Sequence, residues 1–142
     1  MIRFVLCQTR QGKNRLSRWY VPISENEKNK LEIEISRSVS SRDRRWTNFV
    51  EYRNYKLIYR QYAGLIFTFC VDVNENELSI YEMIHFFVEV LDRYFQNVCE
   101  LDVVFHFDRV YHILDEILLC GEVVETSHSA IIEKLKEIDK LE

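Results

Sequence analysis

Between Tyr55 and Gly121 the chain carries apolar residues too densely for one core face to absorb, and this surplus restricts the fold more than any other feature. Two apolar segments, Tyr55-Lys56-Leu57-Ile58-Tyr59 and Leu65-Ile66-Phe67-Thr68-Phe69-Cys70-Val71, meet at Tyr62-Ala63-Gly64, the pattern of two strands joined by a tight turn. Asn74-Glu75-Asn76-Glu77 then supplies N-cap residues for a helix reaching about Gln96. Its Ile80, Ile84, Phe87, Val88, Leu91, Tyr94 and Phe95 form one stripe, and Phe86 and Val90 widen it. A helix apolar over so much of its circumference is buried on more than one side. A unit of 142 residues has little material of its own to cover that surface, so a partner is expected.

Three Gly and one Pro imply long elements joined by short polar turns. Residues 2–8 and 15–23 read as a hairpin around Gly12. Ser24 and Glu27 match a capping box for a helix to about Val39, with Leu31, Ile35 and Val39 on one face. After the basic loop Arg42-Asp43-Arg44-Arg45, the alternation over 46–52 and 55–62 predicts a hairpin, and Ala63-Gly64 allows a tight connection into a third strand over 65–73, completing a meander. Residues 101–107 read as a short helical turn. Asp108–Cys120 reads as a helix with Val110, Ile113, Leu114, Ile117 and Leu118 inward and Gly121 as its C-terminal cap. Thr126-Ser127 can cap a last helix through Ile131, Leu135 and Ile138. This order predicts one α+β domain over residues 1–142: a five-stranded, mainly antiparallel sheet flanked by helices, with extra C-terminal helices.

The chemistry of catalysis is largely missing. The chain has no GxSxG elbow, Walker lysine loop or GxGxxG fingerprint. His85, His106, His112 and His128 lie on different segments, and the six-residue step from His106 to His112 is not the i, i+4 pair of a metal site. Asp115-Glu116 on a helix reads as a solvated pair. Cys7, Cys70, Cys99 and Cys120 sit among apolar neighbours without a CxxC pair, and read as buried thiols in a reducing compartment. No cofactor or metal is expected. The apolar runs fall short of the roughly 18 residues that span a bilayer, so any membrane contact is expected to be peripheral.

The net charge of −4 conceals a polarity: residues 1–70 hold 14 Lys+Arg against 6 Asp+Glu, and the remainder 5 against 17. One surface is expected to attract anions while another is acidic. An acidic chain without a nucleic-acid motif argues against nucleic-acid binding.

Thr47-Asn48-Phe49-Val50-Glu51, Tyr59-Arg60-Gln61-Tyr62-Ala63-Gly64-Leu65, Cys70-Val71-Asp72-Val73-Asn74 and Asn97-Val98-Cys99-Glu100-Leu101-Asp102 resemble the small sigma subunits of clathrin adaptor complexes. The likeness covers nearly the whole chain, from Met1-Ile2-Arg3-Phe4 to Glu125-Thr126-Ser127, and is strongest to the plasma-membrane complex. It implies a longin-like fold and a non-enzymatic place in a heterotetramer, packed directly against a large alpha adaptin and assembled with a beta adaptin and a medium mu subunit. It also implies cytoplasmic localisation, with peripheral association on the cytosolic face of the plasma membrane in clathrin-coated pits. There the subunit would recognise acidic dileucine sorting signals, Asp/Glu-x-x-x-Leu-Leu/Ile, in the cytosolic tails of cargo during endocytosis. Position by position, the resemblance sets the leucine pockets on Ala63, Leu65, Val88, Asn97, Val98 and Val103, and the acidic residue on Arg15. Val103 departs from the leucine usual there. By periodicity alone Val88 and Val98 read as core, and Arg15 as an ordinary exposed arginine. The alternatives are a sigma subunit of a Golgi or endosomal complex, or a longin-like tethering or SNARE-regulatory module.

Overall fold

A computed structural model describes residues 1–40, 48–119, 122–123 and 128–141. Strands β1 (Ile2–Thr9), β2 (Asn14–Trp19), β3 (Phe49–Tyr52), β4 (Tyr55–Tyr62) and β5 (Leu65–Asp72) form one sheet in the order β2-β1-β5-β4-β3. Every neighbouring pair is antiparallel. The sheet carries α1 (Glu25–Ser40) on one face, and α2 (Glu77–Phe95), α4 (Phe107–Ile117) and α5 (His128–Leu141) on the other. The six-residue α3 (Glu100–Phe105) lies between α2 and α4 in the chain. The result is the α+β fold that the order of segments predicted, and it agrees with the longin-like fold that the resemblance implied.

Strand β5 is buried from Leu65 to Val71 because it is central and helices cover both its faces, which is why it reads as a continuous apolar run. Leu65, Phe67, Phe69 and Val71 enter the core against α2, while Ile66 and Cys70 face α1 with Leu31, Ile35 and Val39. A register shift between Ile2 and Phe4 turns Ile2 towards the α2 layer and Phe4 towards the α1 layer, although two residues in even register would share a face. The α1 layer is tied on by Gln8, whose buried amide donates to the Glu32 carbonyl at 3.0 Å. The β1–β2 turn also packs against α1. A Cβ on Gly12, at φ +90°, would come within 2.7 Å of Ser36 Oγ.

Several boundaries differ from the sequence expectation. Strand β2 stops at Trp19 rather than continuing to Ile23: Tyr20 N–H still reaches the Arg3 carbonyl at 2.9 Å, and Pro22 beyond has no N–H to offer. Helix α4 ends at Ile117, where Leu118 turns extended (φ −120°, ψ 139°). Leu118–Leu119 forms the short strand β6 against β7 (Glu122–Val123). Cys7 and Cys70 are buried, but Cys99 is exposed because it precedes α3, where Asp102 accepts its N–H at 3.0 Å. The basic loop at 42–45, the cap at Gly121, Thr126-Ser127 and Cys120 lie outside the described residues. So does the side chain of Ile138.

Candidate functional site

The candidate residues fall in two places: at the sheet edge, where β2 meets α3, and at the end of β4, which is tied to the C-terminal end of α2. Leu16 pairs with Cys7 and Asn14 with Gln8, so Arg15 is the extra residue of a bulge. Bulges re-aim side chains at sheet edges. From this position Arg15 donates through Nε at 3.0 Å and Nη2 at 2.8 Å, both to Oε1 of Glu100. The pair is half-exposed, at 29% for Arg15 and 44% for Glu100. It lies close enough to Cys7 to be felt there. Burial pushes that thiol far above its ordinary pKa, Glu100 adds to the rise and Arg15 opposes it.

The rest of β2 is stitched to α4. The Tyr111 hydroxyl accepts from Ser17 N–H at 3.1 Å and donates to Ser17 C=O at 2.9 Å, standing in for a neighbouring strand. Arg18 lies over the Tyr111 ring at 4.6 Å and reaches Asp115 at 2.8 Å.

Two left-handed turns frame the second half of the site. Ala63 (φ +49°) and Gly64 (φ +82°) form a two-residue turn between the paired residues Tyr62 and Leu65. Positive φ at both positions matches the twist of a tight hairpin. Gln96 (φ +55°) and Asn97 (φ +78°) end α2, and both their N–H groups point to the Asp92 carbonyl. The Asp92 side chain joins the two turns, accepting from the Tyr62 hydroxyl and, at 2.9 Å, from Val98 N–H.

The candidate pocket residues divide accordingly. Ala63 and Asn97 are exposed on the turns. Leu65, Val88, Val98 and Val103 are buried in the layer between sheet and helices, with Tyr62 packed against that layer. The patch around Ala63, Val88 and Val98 is therefore not an open apolar groove in this structure, because the valines are already within the core. The sequence reading missed Asp92, which joins the two turns, and Glu100, which pairs with Arg15. Their only local signal is an acidic residue near a helix end.

Part of the surplus apolar surface lies nearby. Among the described residues, the exposed large apolar side chains include Leu101, Val104, Phe105 and Phe107 on α3 and the start of α4, with Phe105 72% exposed. His106 and His112 are both exposed, and among the described residues no cluster of His, Cys, Asp and Glu could hold a metal. No described helix is long and apolar enough to cross a membrane.

Sheet, helices and turns together define a longin-like domain, and comparison with known proteins gives its family. A family model described as clathrin adaptor complex small chain matches residues 1–142, and the chain belongs to that family. It is 58% identical to the AP-2 complex subunit sigma of Neurospora crassa and 52% identical to that of Schizosaccharomyces pombe, each over the full length of both chains. It is 46% identical to the AP-1 complex subunit sigma-2 of Arabidopsis thaliana, covering 99% of this chain and 87% of the relative. Among solved structures, a homology model of the full-length AP-3 complex in a stretched open conformation contains a similar chain. The match has a TM-score of 0.79 and 31% identity, covering 99% of this chain and 95% of that one.

Proposed function

We propose that this chain is a non-enzymatic small subunit of the heterotetrameric clathrin adaptor at the plasma membrane, where it binds acidic dileucine signals in cargo tails and stabilises a large alpha subunit. The observation that carries the reading is the contact between Arg15 and Glu100, residues 85 positions apart in sequence. It sets a cationic side chain beside the segment that holds Asn97, Val98 and Val103. An acidic group meeting Arg15 would thus have apolar side chains within reach. The higher identity to AP-2 than to AP-1 relatives favours the plasma-membrane complex over a Golgi or endosomal one.

The leucines of a signal gain about 1.5 to 3 kcal/mol each on leaving water. Part of that is spent in ordering the peptide and in shifting the side chains that close over Leu65, Val88, Val98 and Val103. The resulting affinity is roughly micromolar, and several such contacts to one membrane combine. The exposed strip of Leu101, Val104, Phe105 and Phe107 supports packing against a larger subunit.

The test is peptide binding to this chain coexpressed with a large alpha adaptin. An acidic dileucine peptide is expected to bind and its dialanine version to lose binding at least tenfold. Equal binding of the two removes the cargo role, and failure to copurify with alpha removes the assembly role.

A further inference from the structure

The arginine offered to the cargo is already occupied. Two donors of Arg15 converge on one oxygen of Glu100, a charge-assisted contact that falls short of the two-oxygen fork an arginine can form with a carboxylate. Glu100 is not otherwise engaged in starting its helix, since Asp102 is the residue that accepts Cys99 N–H. Arg15 stands on a bulge of an edge strand, and no backbone pairing depends on the position of its side chain. The contact is therefore a side-chain latch laid across the candidate site.

We infer that Glu100 is an internal competitor for Arg15, which the acidic residue of an incoming peptide must displace, so that Glu100 sets how strongly the chain distinguishes acidic from neutral signals. This rests on the dileucine reading above. Exchange of one carboxylate for another on the same guanidinium returns little net attraction, so an acidic peptide gains less from Arg15 than it would from a free arginine. The half-exposed pair is weak enough to be displaced. Exposed ion pairs hold their partners by factors of about 2 to 5 in an equilibrium constant. A neutral peptide has no claim on Arg15 and leaves the latch closed.

The experiment measures fluorescence anisotropy of three labelled peptides on the full chain coexpressed with alpha adaptin: an acidic dileucine peptide, the same peptide with Gln for the acidic residue, and the acidic dialanine peptide. Glu100→Gln is expected to tighten the acidic dileucine peptide about 2- to 5-fold while leaving the Gln peptide unchanged. Glu100→Ala removes the same carboxylate with different packing and should give the same selective gain. Unchanged or weaker binding of the acidic peptide by both variants overturns the latch, and so does an equal gain for the Gln peptide. If wild type binds the dileucine and dialanine peptides equally, the dileucine reading itself fails. If wild type discriminates between those two and only the Glu100 gain is missing, the latch alone is wrong.

Discussion

The Tyr62 hydroxyl donates to one oxygen of the Asp92 carboxylate, whose other oxygen accepts from Val98 N–H at 2.9 Å, so a single side chain fastens the end of β4 to the end of α2. Asp92→Ala leaves the part-buried Val98 amide without its partner. The expected loss is about 1 to 3 kcal/mol. Tyr62→Phe keeps the Val98 contact and should cost only about 1 kcal/mol. Urea unfolding of both variants checks the order, and a Tyr62→Phe loss equal to that of Asp92→Ala would assign the whole effect to the hydroxyl.

At the opposite end of β5, Asp72 accepts from Arg3 Nε at 2.7 Å and lies 3.4 Å from the chain's amino terminus. Partial burial raises its pKa, but Arg3 and the terminal ammonium outweigh this and hold the carboxyl below its ordinary value of 3.8. A depressed carboxyl contributes stability that is complete above the unfolded value and is lost as pH falls through the folded one. Wild type should therefore exceed Asp72→Asn by a constant margin in neutral solution. That margin should shrink below the ordinary aspartate value and vanish at lower pH, as read from urea midpoints across an acid series. A margin that grows on acidification contradicts the assignment.

The tight turn predicts a gain rather than a loss. Ala63 sits at φ +49°, in a region that costs an L-residue about 1 to 2 kcal/mol. Glycine relieves that strain but adds freedom to the unfolded chain, which offsets about 0.4 to 1 kcal/mol. Ala63→Gly should raise stability by up to about 1.6 kcal/mol. Gly64→Ala has open space for its Cβ, with nothing within 4 Å, yet it should destabilise because φ is +82°. Opposite signs for these substitutions in thermal unfolding would show that backbone strain, not packing, governs the turn.

The same residues show why some of this was legible in the sequence. The β4–β5 hairpin and α2 announce themselves through local signals: alternation in β4, a continuous apolar run in β5, a glycine at the tight turn between them, an Asn cap and a wide apolar stripe. Asn76 does cap α2, with its side chain accepting from Ser79 N–H at 3.0 Å. The bulge at Arg15 leaves no such trace, because it arises from a mismatch in count between β1 and β2. Its partner Glu100 lies 85 residues away, beyond any periodic window. Leu118-Leu119-Cys120 extends the apolar pattern of α4, so periodicity alone carried the predicted helix past Ile117, where the chain turns into β6. Cys99 adjoins buried Val98 in sequence, but the turn between α2 and α3 separates their environments.

Val103 provides the sharpest separation of core from pocket. Its side chain is fully buried on α3, although the family resemblance sets leucine there and assigns the position to a leucine pocket. Val103→Leu adds a methylene to a closed site and moves the branch point from Cβ to Cγ. If the surroundings stay fixed, overpacking costs about 1 to 3 kcal/mol. A position that only fills the core changes stability and leaves the ranking of peptides ending in Leu, Ile or Met at the second apolar position intact. A pocket position changes that ranking too, because the added carbon occupies volume the peptide side chain needs. We expect both: a lower urea midpoint, and weaker binding of the Leu and Met peptides relative to the shorter-reaching Ile peptide by about 2- to 10-fold, of the order that one methylene is worth. A shift in midpoint with an unchanged peptide ranking would return Val103 to the core and leave the pocket to Ala63, Val88 and Val98.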